Sequence, residues 1–190
     1  MENRTNLKYL QKPVVLCGMM AAGKTTVGRN LAAVTGLDFV DLDKEIERRE
    51  DKSVPEIFTE YGEEEFRRLE RQVLAGLWQE PKIIALGGGA LQTPEFAEKI
   101  KQHSLMIYLN VSVSILVNRL SGKKNRPKLR NADGSWKTGQ QLQEYIRNLL
   151  SERQPLYQKA HIIVDIDKEL SPRKITEHLL QKIQCYAEQT

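Results

Sequence analysis

Residues 13–35 read Pro-Val-Val-Leu-Cys-Gly-Met-Met-Ala-Ala-Gly-Lys-Thr-Thr-Val-Gly-Arg-Asn-Leu-Ala-Ala-Val-Thr. The apolar run at 14–17 has the length and branching of a buried strand. It breaks at Gly18, and from Lys24 onward Val27, Leu31 and Val34 recur at helical spacing. Between them stands Gly18-x-x-x-x-Gly23-Lys24-Thr25, the phosphate-binding loop pattern in the strand–loop–helix setting that gives it meaning. Glycines let backbone N–H groups turn inward around phosphate oxygens, and the helix N-terminus adds the positive end of its dipole. Lys24 is expected to reach the β- and γ-phosphates, and the Thr25 hydroxyl to ligate Mg²⁺. An ordinary glycine turn with a solvated lysine is the bland alternative, and the flanking strand and helix weigh against it. Gly18, Ala21, Ala22, Gly23, Lys24, Thr25 and Thr26 therefore form the expected nucleotide-phosphate site.

The rest of the composition suits such a site. The 190 residues are enough for one domain over residues 1–190 with a real core. A hydrophobic share of 40% with 28% charged residues is that of a soluble globular chain. Cys17 and Cys185 lie far apart without a CxxC pattern, which argues for a reducing compartment and against a disulfide or zinc scaffold. Residues 1–12 are polar and lack the apolar core of a secretory signal, and no apolar run approaches bilayer length. A cytoplasmic protein with no membrane partner is the expectation.

A net charge of +4 invites a nucleic-acid partner, but its distribution speaks against one. Residues 41–65 hold eleven acids and four bases, whereas residues 119–130 hold six bases and no acid. A local basic loop beside a phosphate site more simply meets ATP than a polyanion.

Downstream, residues 37–43 read as a second strand ending in Asp41 and Asp43. Two carboxylates so spaced fall on one side, where one can hold a Mg²⁺ water and the other meet a substrate hydroxyl. The alternative is an aspartate helix cap, since residues 44–49 continue helically. Ser53 and Pro55 start another helix, and after Gly62 an apolar stripe of Phe66, Leu69, Val73 and Leu77 marks a further one. Arg67 lies beside that stripe, and an ion pair with Glu63 is its plainest reading.

Residues 83–86 form a third strand that runs into Gly87, Gly88 and Gly89. Directly after a β-branched strand, such a triplet lets a ligand approach the backbone and its N–H donors. Residues 94–101 give a helix, 105–109 a strand, and 112–120 a helix. Residues 122–139 are basic, glycine-bracketed and without period, as expected of a lid, with Trp136 packing it down or covering a neighbouring helix. A long helix from residue 140 to about 157 carries Arg153, a fifth strand follows at 161–165, and a helix closes the chain at 172–187. His103 and His161 have no nucleophile paired with them. Strands alternating with helices predict an α/β fold: a five-stranded parallel sheet flanked by helices, three layers in all, of the P-loop nucleoside-monophosphate-kinase-like kind with a mobile lid.

Taken in order, the phosphate loop, Asp-Leu-Asp at 41–43, Phe-Arg-x-Leu-Glu at 66–70, Gly-Gly-Gly at 87–89, Asn-Arg-Pro at 125–127 and Arg-x-Pro-Leu-Tyr at 153–157 resemble shikimate kinase. The resemblance runs from about residue 14 to 165. It implies transfer of the ATP γ-phosphate to the 3-hydroxyl of shikimate, with Mg²⁺, in aromatic amino-acid biosynthesis. It further implies that Asp41 holds the magnesium through water and that Asp43 binds the shikimate hydroxyls and acts as base. Arg67 and Arg153 would clamp the substrate carboxylate, within a substrate-binding segment at about 43–70, with the backbone of Gly87, Gly88 and Gly89 completing the pocket. Arg126 would be the catalytic lid arginine that meets the transferring phosphate, and Arg119 would stack on adenine. A monomer is expected by analogy with kinases of this size.

Two departures from the family pattern stand out. Ala21 replaces a usual glycine, which strains the loop by about 1 kcal/mol if that position needs positive φ. In the lid, Lys128 replaces a usual leucine after the proline and, with Arg130, adds charge. The nearest rival is a gluconate-type carbohydrate kinase on the same fold. A rival of another class is a non-catalytic nucleotide-binding protein, whose expected mark would be loss of Lys24, Asp43 or Arg126.

Overall fold

The computed structural model describes residues 11–123 and 127–188. Its centre is β1 (Val14–Cys17), in which every side chain is buried. Successive strand residues point to opposite faces, so a strand buried throughout is covered on both. It pairs in parallel with β3 (Lys82–Ala85) on one side and β4 (Leu105–Val111) on the other, Val14 lying opposite Ile83 and Leu105. The sheet is completed by β2 (Asp38–Asp41) beside β3 and β5 (Ile162–Ile166) beside β4, giving the order β2-β3-β1-β4-β5. The first crossover leaves β1 towards β2, and a later one carries the chain from β3 across β1 to β4. The crevice outside the carboxyl end of β1 is therefore where a parallel sheet accepts a ligand.

Among the described residues seven helices cover this sheet. α1 (Lys24–Thr35) contacts α7 (Pro172–Ala187), while α6 (Gly139–Tyr157) contacts α4 (Pro94–His103) and α5 (Val113–Leu120). The stripe expected on α1 is shifted. Val27 and Leu31 are fully buried, but Val34 is exposed and Thr35 takes the inner position. Thr35 can be buried because its hydroxyl donates to the Leu31 carbonyl at 2.8 Å.

The expected second strand is also corrected. β2 stops at Asp41, and α2 (Leu42–Glu50) begins at once, so Asp43 stands in a first helical turn and not on a strand. The Asp41 carboxylate accepts from the Lys44 N–H at 3.5 Å as the N-cap, which ends the strand there. α3 (Val54–Ala75) opens with a capping box between Ser53 and Glu56. It is broken at Gly62, whose φ of 82° belongs to the left-handed region that glycine tolerates. The two expected helices are thus present, joined by a kink. Phe66, Leu69, Val73 and Leu77 face the core as the periodicity predicts.

The described part of the lid segment is folded down against the core. Pro127–Leu129 form a 3-10 turn with Leu129 buried. An isolated bridge joins Arg130 to Trp136, the guanidinium lying 5.0 Å from the indole centre. Trp136 itself packs against the core. A three-residue turn and one bridge are too short to impose a period, which is why the sequence shows none.

Candidate active site

The loop after β1 folds back on itself through an Ala22 N–H to Met19 carbonyl bond of 3.2 Å. Ala21 adopts φ 61°, the strained conformation anticipated for it. That costs about 1–2 kcal/mol. Glycine would relieve the strain but add about 0.4–1 kcal/mol of unfolded-chain entropy. The entropy term offsets the strain only in part, so alanine remains the costlier residue here, and the Arg119 guanidinium, donating to the Ala21 carbonyl at 3.1 Å, helps to hold the turn. Arg119 also pairs with Glu169, so it ties the loop to the segment preceding α7.

Lys24 is buried and its ammonium donates to the Gly18 and Met19 carbonyls at 2.9 and 3.0 Å. The Thr25 hydroxyl donates to Asp41 Oδ2 at 2.7 Å. Asp41 is thus the cap of α2, one of the two alternatives open in the sequence, and also the partner of Thr25. A hydroxyl and a carboxylate are hard oxygen donors, which suit Mg²⁺. Among the described residues no group of three or more His, Cys, Asp and Glu side chains is arranged to hold a metal. Lys24, Thr25 and Asp41 line a cavity of about 490 Å³, which also receives Ala22, Gly23, Thr26, Asp43, Gly87, Gly88 and Arg119. A concave, cation-bearing cavity at a helix N-terminus fits the phosphates of ATP.

A second cavity, of about 230 Å³, adjoins the first. Arg67 enters it from α3 and Arg153 from α6, with Val54, Phe58 and Phe66 as apolar wall. The plain ion pair anticipated for Arg67 exists, Nη2 donating to Glu63 at 2.7 Å, and Nη1 donates to Glu70. Neither pair removes Arg67 from the cavity wall. Arg153 Nη1 and the Tyr157 hydroxyl both donate to the Gly88 carbonyl, the latter at 3.0 Å. The sequence suggested a ligand meeting N–H donors of the glycine triplet. The side chains of Arg153 and Tyr157 engage a carbonyl of the triplet and not its N–H groups. A Cβ on Gly87 would lie 2.5 Å from Asp43 Oδ1, and one on Gly89 2.9 Å from Arg67 Nη2. The missing side chains are what let Asp43 and Arg67 come this close.

Asp43 lines both cavities, as do Met20, Gly87 and Gly88. Its Oδ1 is buried without a hydrogen-bond partner. Burial, and then the charge of Asp41, push its pKa above the ordinary carboxylate range, against the pull of Lys24 and Arg67. Burial likewise raises Glu70 to about 7 despite its contact with Arg67. A buried acceptor left unpaired costs about 1–3 kcal/mol. A hydroxyl offered to Asp43 would recover that.

Arg126 lies outside the described residues. His103 stacks on Trp78 at 4.3 Å and His161 accepts the Met106 N–H at 3.1 Å, and neither lines these two cavities. Several contributors escaped the sequence reading. Glu70 and Tyr157 sat inside motifs without a role, although their spacing from Arg67 (i,i+3) and Arg153 (i,i+4) puts each on its partner's helix face. Phe58 and Glu169 carried no signal at all.

A family model described as shikimate kinase matches residues 20–184. The chain is 38% identical to the shikimate kinase of Chlorobium phaeobacteroides over 174 residues, covering 91% of this chain and 87% of that protein. It is also 38% identical to that of Chloroherpeton thalassium, covering 92% and 95%. Among solved structures, the shikimate kinase from Acinetobacter baumannii in complex with shikimate matches at a TM-score of 0.81 and 35% identity, over 93% of this chain and 94% of that one.

Proposed function

Because the chain belongs to the shikimate kinase family, we propose how its residues divide the work of that reaction. The protein is an ATP- and Mg²⁺-dependent kinase that transfers the γ-phosphate to the 3-hydroxyl of shikimate, in aromatic amino-acid biosynthesis. Lys24 and the loop from Gly18 to Thr26 bind the phosphates, with Arg119 towards the adenine side. Thr25 and, through water, Asp41 hold the magnesium, which when bound neutralises charge on the phosphates. Arg67 and Arg153 present planar forks to the acceptor carboxylate, a geometry lysine lacks. Asp43 takes the hydroxyl proton, and Arg126 belongs with the transferring phosphate. The position of Asp43 on the shared wall of the two cavities carries this reading, since that is where donor and acceptor meet.

We read residues 1–190 as one kinase domain, with 43–70 as the substrate-binding segment and 122–139 as the lid. A monomer in a reducing, cytoplasmic compartment fits the cysteines, Cys17 being buried and Cys185 exposed, both free. No helix among the described residues is long and apolar enough to cross a membrane.

The direct test is ADP release from MgATP with shikimate and, separately, with gluconate. Shikimate-dependent turnover is expected. Turnover with gluconate alone would move the acceptor assignment to the rival kinase. Arg67→Ala is expected to raise the shikimate KM about 30-fold or more, since losing a charge-assisted pair costs upwards of ~2 kcal/mol. The ATP KM should hold. An unchanged shikimate KM would remove Arg67 from the clamp, provided a melting curve shows that the variant is folded.

A further inference from the structure

Lys128 stands where the folded-down lid turn meets the acceptor cavity. Its neighbour Leu129 is buried, and the Leu129 carbonyl accepts the Lys137 N–H at 2.9 Å. That anchoring holds Lys128 on the cavity wall, its ammonium 3.7 Å from Glu63 Oε1 and 5.8 Å from the centre of the Phe58 ring. The contact with Glu63 is longer than a hydrogen bond, and the same oxygen already accepts from Arg67.

Among the described residues, the ionisable side chains lining this cavity are Asp43, Glu70, Arg67, Arg153 and Lys128. With Glu63, the ion-pair partner of both Arg67 and Lys128, counted as well and all groups ionised, three positive charges face three negative ones among the described residues. Without Lys128 the same set is left net negative. Protonation of any of these acids only makes the set more positive, so Lys128 adds its charge in every protonation state. Both arginines are also engaged with the protein: Arg67 donates to Glu63 and Glu70, and Arg153 to the Gly88 carbonyl. Part of their field is spent on those acceptors. Lys128 is half exposed at the mouth, where an incoming anion would meet it first.

We propose that Lys128 is a specificity-determining residue: it offsets the carboxylates around the acceptor cavity and so selects an acceptor bearing a carboxylate over a neutral one of the same shape. This rests on the reading of that cavity as the shikimate site. A neutral acceptor gains nothing from the extra charge. A carboxylate gains on approach as well as in the bound state.

The test compares wild type, Lys128→Met and Lys128→Arg with shikimate and its uncharged methyl ester. Wild-type turnover of shikimate is measured first, and its absence would overturn the site reading itself. Lys128→Met is expected to lower the acid-over-ester ratio of kcat/KM about five- to tenfold, the loss falling mainly on the shikimate KM. Lys128→Arg should restore the ratio. Raising ionic strength should increase the shikimate KM more steeply for wild type than for Lys128→Met, a readout that stands even if the ester is not turned over. An unchanged ratio with equal salt slopes would overturn the proposal. Equal losses for acid and ester would do so too, making Lys128 a packing residue of the turn.

Discussion

Lys24→Ala is expected to lower shikimate-dependent ADP release by at least about 10³-fold, with the fold retained. Phosphoryl transfer asks little covalent chemistry of the protein, so positioning and charge stabilisation carry the rate. Removing one preorganised donor from a developing anion costs about 10²–10³ in kcat. Lys24 is a full charge and not a neutral donor, and it starts the first turn of α1 behind the loop. Its ammonium is held by the Gly18 and Met19 carbonyls, so the cation is positioned in the cavity lining. Lys24→Arg should not rescue, because a planar fork cannot occupy the place of a compact ammonium. Steady-state rates with a melting curve as control decide it. Turnover within tenfold of wild type would remove Lys24 from the chemistry.

Asp43→Asn should reduce kcat by about 10²–10⁴, the usual worth of a general base. The substitution keeps shape and replaces an acceptor oxygen with a donor. The pH profile gives a second readout. Burial raises the pKa of Asp43 above its ordinary 3.8. A base works ionised, so kcat/KM rises with pH through that raised value, and the limb lies higher than that of a solvated aspartate. Asp43→Asn should lose the limb. Stability moves the opposite way. A carboxyl whose folded pKa is raised carries no penalty below its unfolded value and an increasing one as pH climbs through the folded value. The asparagine variant is therefore expected to melt above wild type at neutral pH, with the gap closing in acid. Full turnover in Asp43→Asn would leave positioning alone to explain catalysis.

How much of this was legible beforehand varies with the range of the interaction. The phosphate loop, the capped start at Ser53 and the stripe of Phe66, Leu69, Val73 and Leu77 are local patterns, and each is found where the sequence places it. The order of strands was not legible. β1 pairs with β3 and β4, far along the chain, and nothing within a short window records that. Sequence alone extends the strand to Asp43 because Asp41 can end a strand or cap a helix, and the cap decides only once Lys44 turns back to it. The carboxylate cavity is harder still. Arg67 and Arg153 lie on different helices, and their convergence depends on the backbone passing between them at Gly88 and Gly89. Motif order pointed to these residues; their geometry needed the fold.

The two cavities also differ in where their walls come from. The donor side is drawn from the β1–α1 loop, Arg119 on α5 and the start of α7, whereas the acceptor side is drawn from α3, α6 and the turn after α5. Among the described residues only Met20, Asp43, Gly87 and Gly88 belong to both. Such a chassis can exchange its cargo while keeping its engine. On the proposed roles, changes at Phe58, Arg67, Lys128 or Arg153 would alter which acid is admitted without touching Lys24 and its loop, so the scaffold would lend itself to being retooled for other hydroxy acids one helix at a time.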